Sequence, residues 1–410
     1  MQWLKEIPSH WESKKISSLF KERRQKVSDK DFMPLSVSKQ GVTPQLETAV
    51  KTDNGDNRKL VRSGDFVVNS RSDRKGSCGV SKLDGSVSLI NIVLESRGSL
   101  NMEYFHYLSR SNSYIEEYYR LGRGIVADLW TTRYSELKNM LIPYPPLAEQ
   151  ERIVSYLEDK TSKIDAYVVE KEKEILLLQE LKQKTIADAV TKGLNPNVKM
   201  KDSGISWIGM IPEHWELRKL SQVSYEHYIS NKDVHHQNLL SLSYGRIIRK
   251  DINTTEGLLP ASFDTYQIVE EGNIVLRLTD LQNDHKSLRV GLVKEEGIVT
   301  SAYVCLGVYN SMIPSYLYNV LHSYDIKKLF YSMGGGLRQN LNWQGMKKID
   351  IPLPPLNEQR AIVAYIEEKY QKIDTLITEL QAEIDYMKEY KQRLIADCVT
   401  GQVNVQNETI

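Results

Sequence analysis

Ile362, Ile366, Tyr370, Ile373, Ile377, Leu380, Ile384 and Met387 follow one another at alternating steps of four and three, with mostly charged and polar residues between them. That spacing keeps one apolar seam turned toward a partner helix, the pattern of a coiled coil. A second seam runs through Ile153, Leu157, Thr161, Ile164, Val168, Lys171, Ile175 and Leu178 and is weakened by Thr161 and Lys171. A Pro-Pro pair ahead of each seam stops the preceding element. Asn357 is placed to cap the second helix, and Glu149 and Glu358 put negative charge at the positive end of each helix dipole. Gly193 and Gly401 are natural stops at the far ends. Two helices of about 40 residues are predicted, roughly 60 Å long at 1.5 Å per residue. An unpaired seam of that length would leave an apolar stripe in water, so the two helices are expected to pair, antiparallel if a two-fold axis relates them, as a rod between globular blocks. The alternative is that each helix packs on its own block.

Elsewhere the period shortens. DFVVNS from Asp65, VSLINIVLE from Val87, NIVLRL from Asn273 and TSAYVCLGV from Thr300 read as strands between Gly, Asn and Asp turns, and MEYFHYLSRSNSYIEEYYR from Met102 reads as helix. The fold class is therefore α/β: two mixed α/β domains separated by an antiparallel pair of long coiled-coil helices, with an internal pseudo-two-fold repeat. The repeat is explicit. From Ile142 to Thr191 and from Ile351 to Thr400 the chain aligns without a gap, with about 26 of 50 positions identical. IPSHWESKKIS from Ile7 returns as IPEHWELRKLS from Ile211, with Trp3 and Trp207 ahead of each. Between these shared ends the blocks differ, although LVRSGDFVVNSRS from Leu60 parallels IVEEGNIVLRLTD from Ile268, and GRGIVADL from Gly122 parallels GGGLRQNL from Gly334. Only GQVNVQNETI follows the second helix, so the N-terminal lead-in is expected to lie close enough to complete that copy's surroundings.

A chain of 410 residues implies at least two domains. Its net charge of +1 is a sum over unlike parts: Lys and Arg outnumber Asp and Glu over residues 1–140, and the reverse holds over 351–410. Phosphate binding would then come from local clusters rather than a global field. Cys78, Cys305 and Cys398 form no CxxC or Cys/His cluster and read as reduced and structural. No stretch of about 18 apolar residues and no signal-peptide pattern at the N-terminus point to a membrane, so a cytoplasmic protein is expected.

Catalytic constellations are hard to find. IPYPPL from Ile142 lacks the Asn or Asp, two prolines and aromatic, in that order, of an adenine-flipping methyltransferase. GGGLRQ lacks the GK[ST] ending of a phosphate-binding loop. His235 and His236 are neighbours whose side chains do not converge as ligands, and the carboxylates are dispersed. No catalytic residue, metal site, bound S-adenosylmethionine or bound ATP is expected in this chain.

The WxxxIPxHWE lead-in, the IPxPPLxEQ helix head, the IAD stretch near each helix end and their duplication around two dissimilar blocks resemble the specificity subunit of type I restriction-modification enzymes. The resemblance covers essentially the whole chain. It implies a non-catalytic subunit of an endonuclease and adenine-specific methyltransferase complex, with a target-recognition domain over residues 1–140, a central conserved helix over 141–195, a second target-recognition domain over 196–350 and a distal conserved helix over 351–410. Each recognition domain would read one half of a split, asymmetric site in double-stranded DNA. The helices would set the spacing and bind two methyltransferase subunits that methylate adenine N6. S-adenosylmethionine, ATP and Mg2+ would sit on those partners and on the restriction subunits, the motor-nucleases that join them.

Readout of base edges needs Arg toward guanine and Asn or Gln toward adenine, on elements that enter a groove. In the first block the candidates are Lys39 and Gln40, the cluster Arg71, Arg74 and Lys75, and Arg123 between two glycines. In the second they are Arg246, Arg277 and the run Arg338, Gln339 and Asn340. Two other readings stay open on residues alone: a scaffold whose coiled coil spaces two protein- or sugar-binding modules, and a stand-alone DNA enzyme with a concealed site.

Overall fold

A computed structural model describes residues 6–46, 55–71, 74–125, 130–232, 236–252, 262–281, 288–333 and 340–407. The chain divides into two compact units, one running to Glu172 and resuming at Gln381, the other spanning Lys173–Leu380. Both boundaries fall inside long helices, Leu147–Lys192 of 46 residues and Leu356–Val399 of 44. Each unit therefore owns the start of one helix and the end of the other.

Within each unit the helices pair antiparallel. In the first, Asp165 meets Lys391 at 2.6 Å and Glu172 meets Lys388 at 3.1 Å. In the second, Asp374 meets Lys182 at 2.6 Å, the pair equivalent to Asp165 and Lys391. Ile153, Leu157, Thr161, Ile164 and Val168 are buried in the first unit, as are Ile362, Ile366, Ile373 and Leu380 in the second. Ile384, beyond the second helix's boundary, is buried in the first unit, while Ile175 and Ile377 are half-covered. The second helix starts at Leu356, so Asn357 lies in its first turn and does not cap it. Gly193 and Gly401 end the helices at φ +72° and +76°, the left-handed region a Cβ disfavours.

The first block is built from antiparallel sheets. A four-stranded sheet orders Phe20–Glu22, Asn91–Ser96, Phe66–Asn69 and Cys78–Val80, and a three-stranded one orders Lys26–Val27, Arg58–Val61 and Gly85–Val87. A hairpin pairs Leu35–Ser38 with Gly41–Pro44, and Glu12–Lys15 pairs Leu141–Tyr144. Every one of these has a counterpart in the second block: Ser224–Glu226, Val304–Val308, Ile274–Leu276 and Val290–Leu292; Ile229–Ser230, Gln267–Val269 and Gly297–Val299; the hairpin Leu240–Ser243 with Arg246–Arg249; and Glu216–Lys219 with Asp350–Leu353. The predicted strand from Val87 is two strands, because Asn91 donates to the Ser88 carbonyl and turns the chain between them. The predicted helix from Met102 is likewise two, Met102–Arg110 and Asn112–Arg120. Ser111 between them is extended at ψ 143° and its hydroxyl oxygen caps the second by accepting from Tyr114 N–H.

One scaffold holds two differently filled cores. In the first unit Phe105 packs on Phe20, Phe66 and Tyr114 with ring centroids 4.7, 4.8 and 6.0 Å apart. In the second, aliphatic Ile274, Leu276, Leu306 and Leu317 fill the interior with Trp215, and Ile186, Val190, Ile362 and Ile366 from the two long helices belong to the same cluster.

The PPLxEQ motif is the joint of each unit. Gln359, fully buried, accepts from Ile313 N–H at 2.9 Å and donates to the carbonyls of Ser311 and Pro354. Gln150 repeats this, accepting from Asn101 N–H at 2.9 Å and donating to Pro145 O. The preceding glutamate holds the lead-in: Glu358 accepts from Trp215 Nε1 at 2.9 Å and pairs with His214 at 2.7 Å, and Glu149 pairs with His10 at 2.9 Å. Tyr316 donates to the carbonyls of Pro352 and Val190, joining the root of one helix to the tail of the other, and Tyr104 reaches Pro143 and Val399 in the same way. In the first unit the tail arrives from the chain's far end: Gly401 lies against Pro8 and Trp11, and Gln402 donates to Glu6 O at 2.7 Å.

One imidazole in each unit, His106 half-buried and His322 buried, links stability to pH. Burial, with Arg110 and Lys82 nearby, lowers the His106 pKa from 6.5 to about 4; burial and Lys182 lower that of His322 likewise to about 4. The unfolded chain binds these protons more readily, so the stability each neutral ring contributes is complete above the unfolded value and is lost as pH falls from about 6.5 towards 4. His106→Gln and His322→Gln are each expected to flatten the decline of unfolding free energy across that window. Denaturant titrations at several pH values check this, and an unchanged slope would refute it.

Candidate nucleic-acid interface

In the first unit the strand Phe66–Asn69 ends in a loop that carries Arg71, Arg74 and Lys75. Asn69 accepts from Arg71 N–H at 3.0 Å, and Ser70 O accepts from Thr132 N–H at 3.0 Å, which ties this loop to the next segment. Thr131 then forms bridges with both Arg71 and Arg123. Two arginines 52 positions apart are thereby brought to one rim, both exposed. Behind them Trp130 stacks on Tyr119 at 5.9 Å and donates to its carbonyl, while Lys75 lies 4.6 Å over the Tyr119 ring and pairs with Glu116 at 2.7 Å.

Lys39 and Gln40 form the two-residue tip of the hairpin, exposed, with Ser38 and Gly41 paired beneath. Arg110 braces that tip by donating to Lys39 O and to Cys78 O. Lys39, Gln40, Lys75 and Arg110 line one open groove of about 660 Å³, together with Thr161, Asp165 and Lys391 of the helices. Lys39, Gln40 and Lys75 thus share one groove, while Arg71 and Arg123 are joined separately through Thr131, and exposed basic and amide groups of this kind suit a polyanion with polar edges to read.

In the second unit Arg277 is half-buried and follows the strand Ile274–Leu276. Asn340 accepts from Asp280 N–H at 2.9 Å, and Leu278 O accepts from Leu341 N–H at 2.9 Å, the bond equivalent to Ser70–Thr132. Arg338 and Gln339 lie outside the described residues. Arg246 is exposed beside the tip of the second hairpin. Arg289, which the sequence reading passes over, has no exposed surface. Its guanidinium donates to the carbonyls of Arg277, Thr279 and Asp280 and to the Tyr331 hydroxyl, while its own N–H reaches Asp325 at 2.5 Å. It fastens the loop that carries Arg277 to the helix Pro314–Ile326. Arg110 does the corresponding work for the first hairpin, and nothing in either local sequence distinguishes these two arginines from surface ones.

The three cysteines are buried and in no disulfide, and burial pushes the Cys78 thiol to about 11 and the Cys305 thiol to about 12, far from thiolate chemistry at neutral pH. Among the described residues no group of three or more His, Cys, Asp and Glu could hold a metal ion, and no helix is long and apolar enough to cross a membrane.

Residues 212–386 match the type I restriction modification DNA specificity domain. The chain is 24% identical to the type I restriction enzyme MjaVIII specificity subunit of Methanocaldococcus jannaschii over 98% of its own length and 95% of that protein. It is 23% identical to the EcoBI specificity subunit of Escherichia coli over 66% and 60% of the two chains. Among solved structures, a chain from a study of complex assembly and conformational transition of the type I R-M system superposes with a TM-score of 0.69 at 16% identity, covering 97% of this chain and all of that one. The HsdS subunit from Thermoanaerobacter tengcongensis superposes with a TM-score of 0.55 at 18% identity, covering 97% and 98%. With its doubled lead-in and helix head, the domain matched over residues 212–386 and a curated relative aligned along nearly its full length, the chain is similar in sequence and fold to the specificity subunits of type I restriction-modification enzymes.

Proposed function

We propose that this chain reads double-stranded DNA for a methyltransferase and nuclease complex, each unit recognising one half of a bipartite, non-palindromic site. The observation that carries this is the pairing of one fold with two unlike surfaces: equivalent loops and hairpins present Arg71, Arg123, Lys39 and Gln40 in one unit and Arg277, Asn340 and Arg246 in the other. Identical readers would be suited to a palindrome; these are suited to two different half-sites. The long repeated helices set the spacing, because readers on one face of a duplex must be separated by about 34 Å or a multiple of it, and a stiff element holds such a span where a flexible linker does not. They also bind two methyltransferase subunits. Exposed Val169, Leu176, Leu177 and Leu376 on the helices support that role, since they offer apolar surface for further helices.

The chain contributes recognition alone. Its partners supply S-adenosylmethionine and methylate adenine N6, and restriction subunits add ATP- and Mg2+-dependent cleavage, all in the cytoplasm. Co-expression with its methyltransferase subunit is expected to give genomic adenine methylation at a single motif of two dissimilar half-sites around a fixed spacer, read by methylation-sensitive sequencing. The purified chain alone is expected to methylate nothing. A palindromic motif would overturn the two-reader assignment, and methylation by the chain alone would overturn its non-catalytic role.

A further inference from the structure

The hairpin of the second unit ends in an unusual way. Ser243 pairs with Arg246, leaving Tyr244 and Gly245 as the turn, with φ +46° and +76°. Both central residues of this turn are left-handed, as in the tight turn that matches strand twist and that Asn-Gly fills at least cost. Glycine suits the second place, where a Cβ would come within 3.1 Å of Leu288. Tyrosine does not suit the first. A bulky residue there carries strain, and a polar residue of the Asn type would relieve it.

The strain gains no packing in return. Tyr244 is 77% exposed, and among the described residues neither its ring nor its hydroxyl has a partner. A strained conformation that holds an aromatic ring out into water is the kind of outlier that points to a ligand. The hairpin itself is held firmly: Leu242 and Ile247 crowd Gly291 beneath it, and Tyr318 reaches Gly245 O at 3.4 Å. Arg246, the first residue after the turn, is exposed, and the equivalent tip of the first unit carries Lys39 and Gln40, which line its groove.

We infer that Tyr244 is a base-contacting residue of the second unit: the hairpin enters the major groove of duplex DNA and lays the Tyr244 ring against base edges, with Arg246 beside it. A two-stranded ribbon fits the width of that groove, and an aromatic face packs on thymine methyl groups while an arginine pairs with guanine. The inference rests on the DNA-reading function proposed above and names a residue through which it acts. At the equivalent place the first unit offers an ammonium and an amide, so the two tips present different chemistry to two half-sites.

The test uses the full chain in complex with its methyltransferase subunit, with Tyr244→Asn and Tyr244→Phe variants. Asparagine accepts the left-handed turn, so Tyr244→Asn is expected to melt no lower than wild type while losing about 10- to 100-fold in affinity for a duplex bearing the methylated motif. Its affinity for random duplex at the same salt is expected to stay unchanged, and its genomic methylation to relax at positions of one half-site only. Tyr244→Phe, which keeps the ring, is expected to stay within about threefold of wild type on both duplexes, the hydroxyl being outside the proposed contact. Wild-type affinity of Tyr244→Asn for the motif would overturn the assignment, as would an equal loss on both duplexes, the mark of a phosphate contact. A wild-type complex with no preference for any sequence would instead overturn the specificity reading, and this inference with it.

Discussion

Replacing Arg289 with methionine is expected to lower the unfolding free energy of the second unit by about 3–5 kcal/mol and to blur recognition of one half-site while sparing the other. The side chain is fully buried, and its guanidinium serves three carbonyls, of Arg277, Thr279 and Asp280, and one hydroxyl, of Tyr331. Methionine fills much of the volume and supplies no donor, so those half-buried acceptors lose their partner, each costing about 1–3 kcal/mol less whatever the loop recovers by moving toward water. That movement is the functional part. Asp280 sits at φ +56°, a conformation its surroundings must hold, and Asn340 is bonded to its N–H. Freed of Arg289, Arg277 and Asn340 lose their fixed positions. Denaturant unfolding followed by Trp fluorescence measures the first effect, and the methylation motif of the variant complex measures the second. Arg289→Lys keeps a cation but not the fork, and is expected to fall between. A methionine variant with wild-type stability and an unaltered motif would remove Arg289 from this role.

Gln359→Leu is expected to cost about 2–4 kcal/mol, more than most single changes in a protein this size. Leucine is close in volume, so the loss comes from three backbone groups left without their partner, the buried Pro354 carbonyl and, nearer to solvent, Ile313 N–H and the Ser311 carbonyl. The Gln359 bonds fix the start of the helix Pro314–Ile326 to the root of the long helix, so amide hydrogen exchange should accelerate first at Ile313 and along that helix. Gln150→Leu is expected to do the same at Asn101 and the helix Met102–Arg110. Exchange rates unchanged at both places would show that the glutamines are not the clasp.

The seam and the joint were legible because both are written locally and twice. Apolar residues at steps of three and four can only form one kind of helix face, and two nearly identical PPLxEQ motifs announce a shared task. The Glu and Gln divide it: one holds the His-Trp lead-in, the other the following block. The blocks were harder. Leu35–Pro44 contains no Asn-Gly or Asp-Gly signal, so its hairpin stands on packing of Gly41 against Gly79 and on Arg110, all non-local. Arg289 is buried only because three carbonyls from the end of another strand converge on it, which no window of sequence records. The loop comparison also needed the structure. Thr132 and Leu341 make equivalent bonds and lie 209 positions apart, as Ile142 and Ile351 do, whereas pairing Gly122 with Gly334 sets the loops 212 apart. Most of those two glycine-flanked motifs, residues 126–129 and 334–339, lies outside the described residues.

The helix tails also set a timetable for synthesis. The second unit, Lys173–Leu380, is contiguous and has all its parts once Leu380 has left the ribosome. The first is not: Tyr104 waits for the carbonyl of Val399, and Trp11 for Gly401. More than two hundred residues separate Glu172 from Gln381, which at about 5–20 residues per second is roughly 10–40 s during which the earlier-made block stands open at its joint. The part of the molecule made first is the last to close, and a nascent chain stalled anywhere in between would carry a finished second unit or none, but never a finished first one.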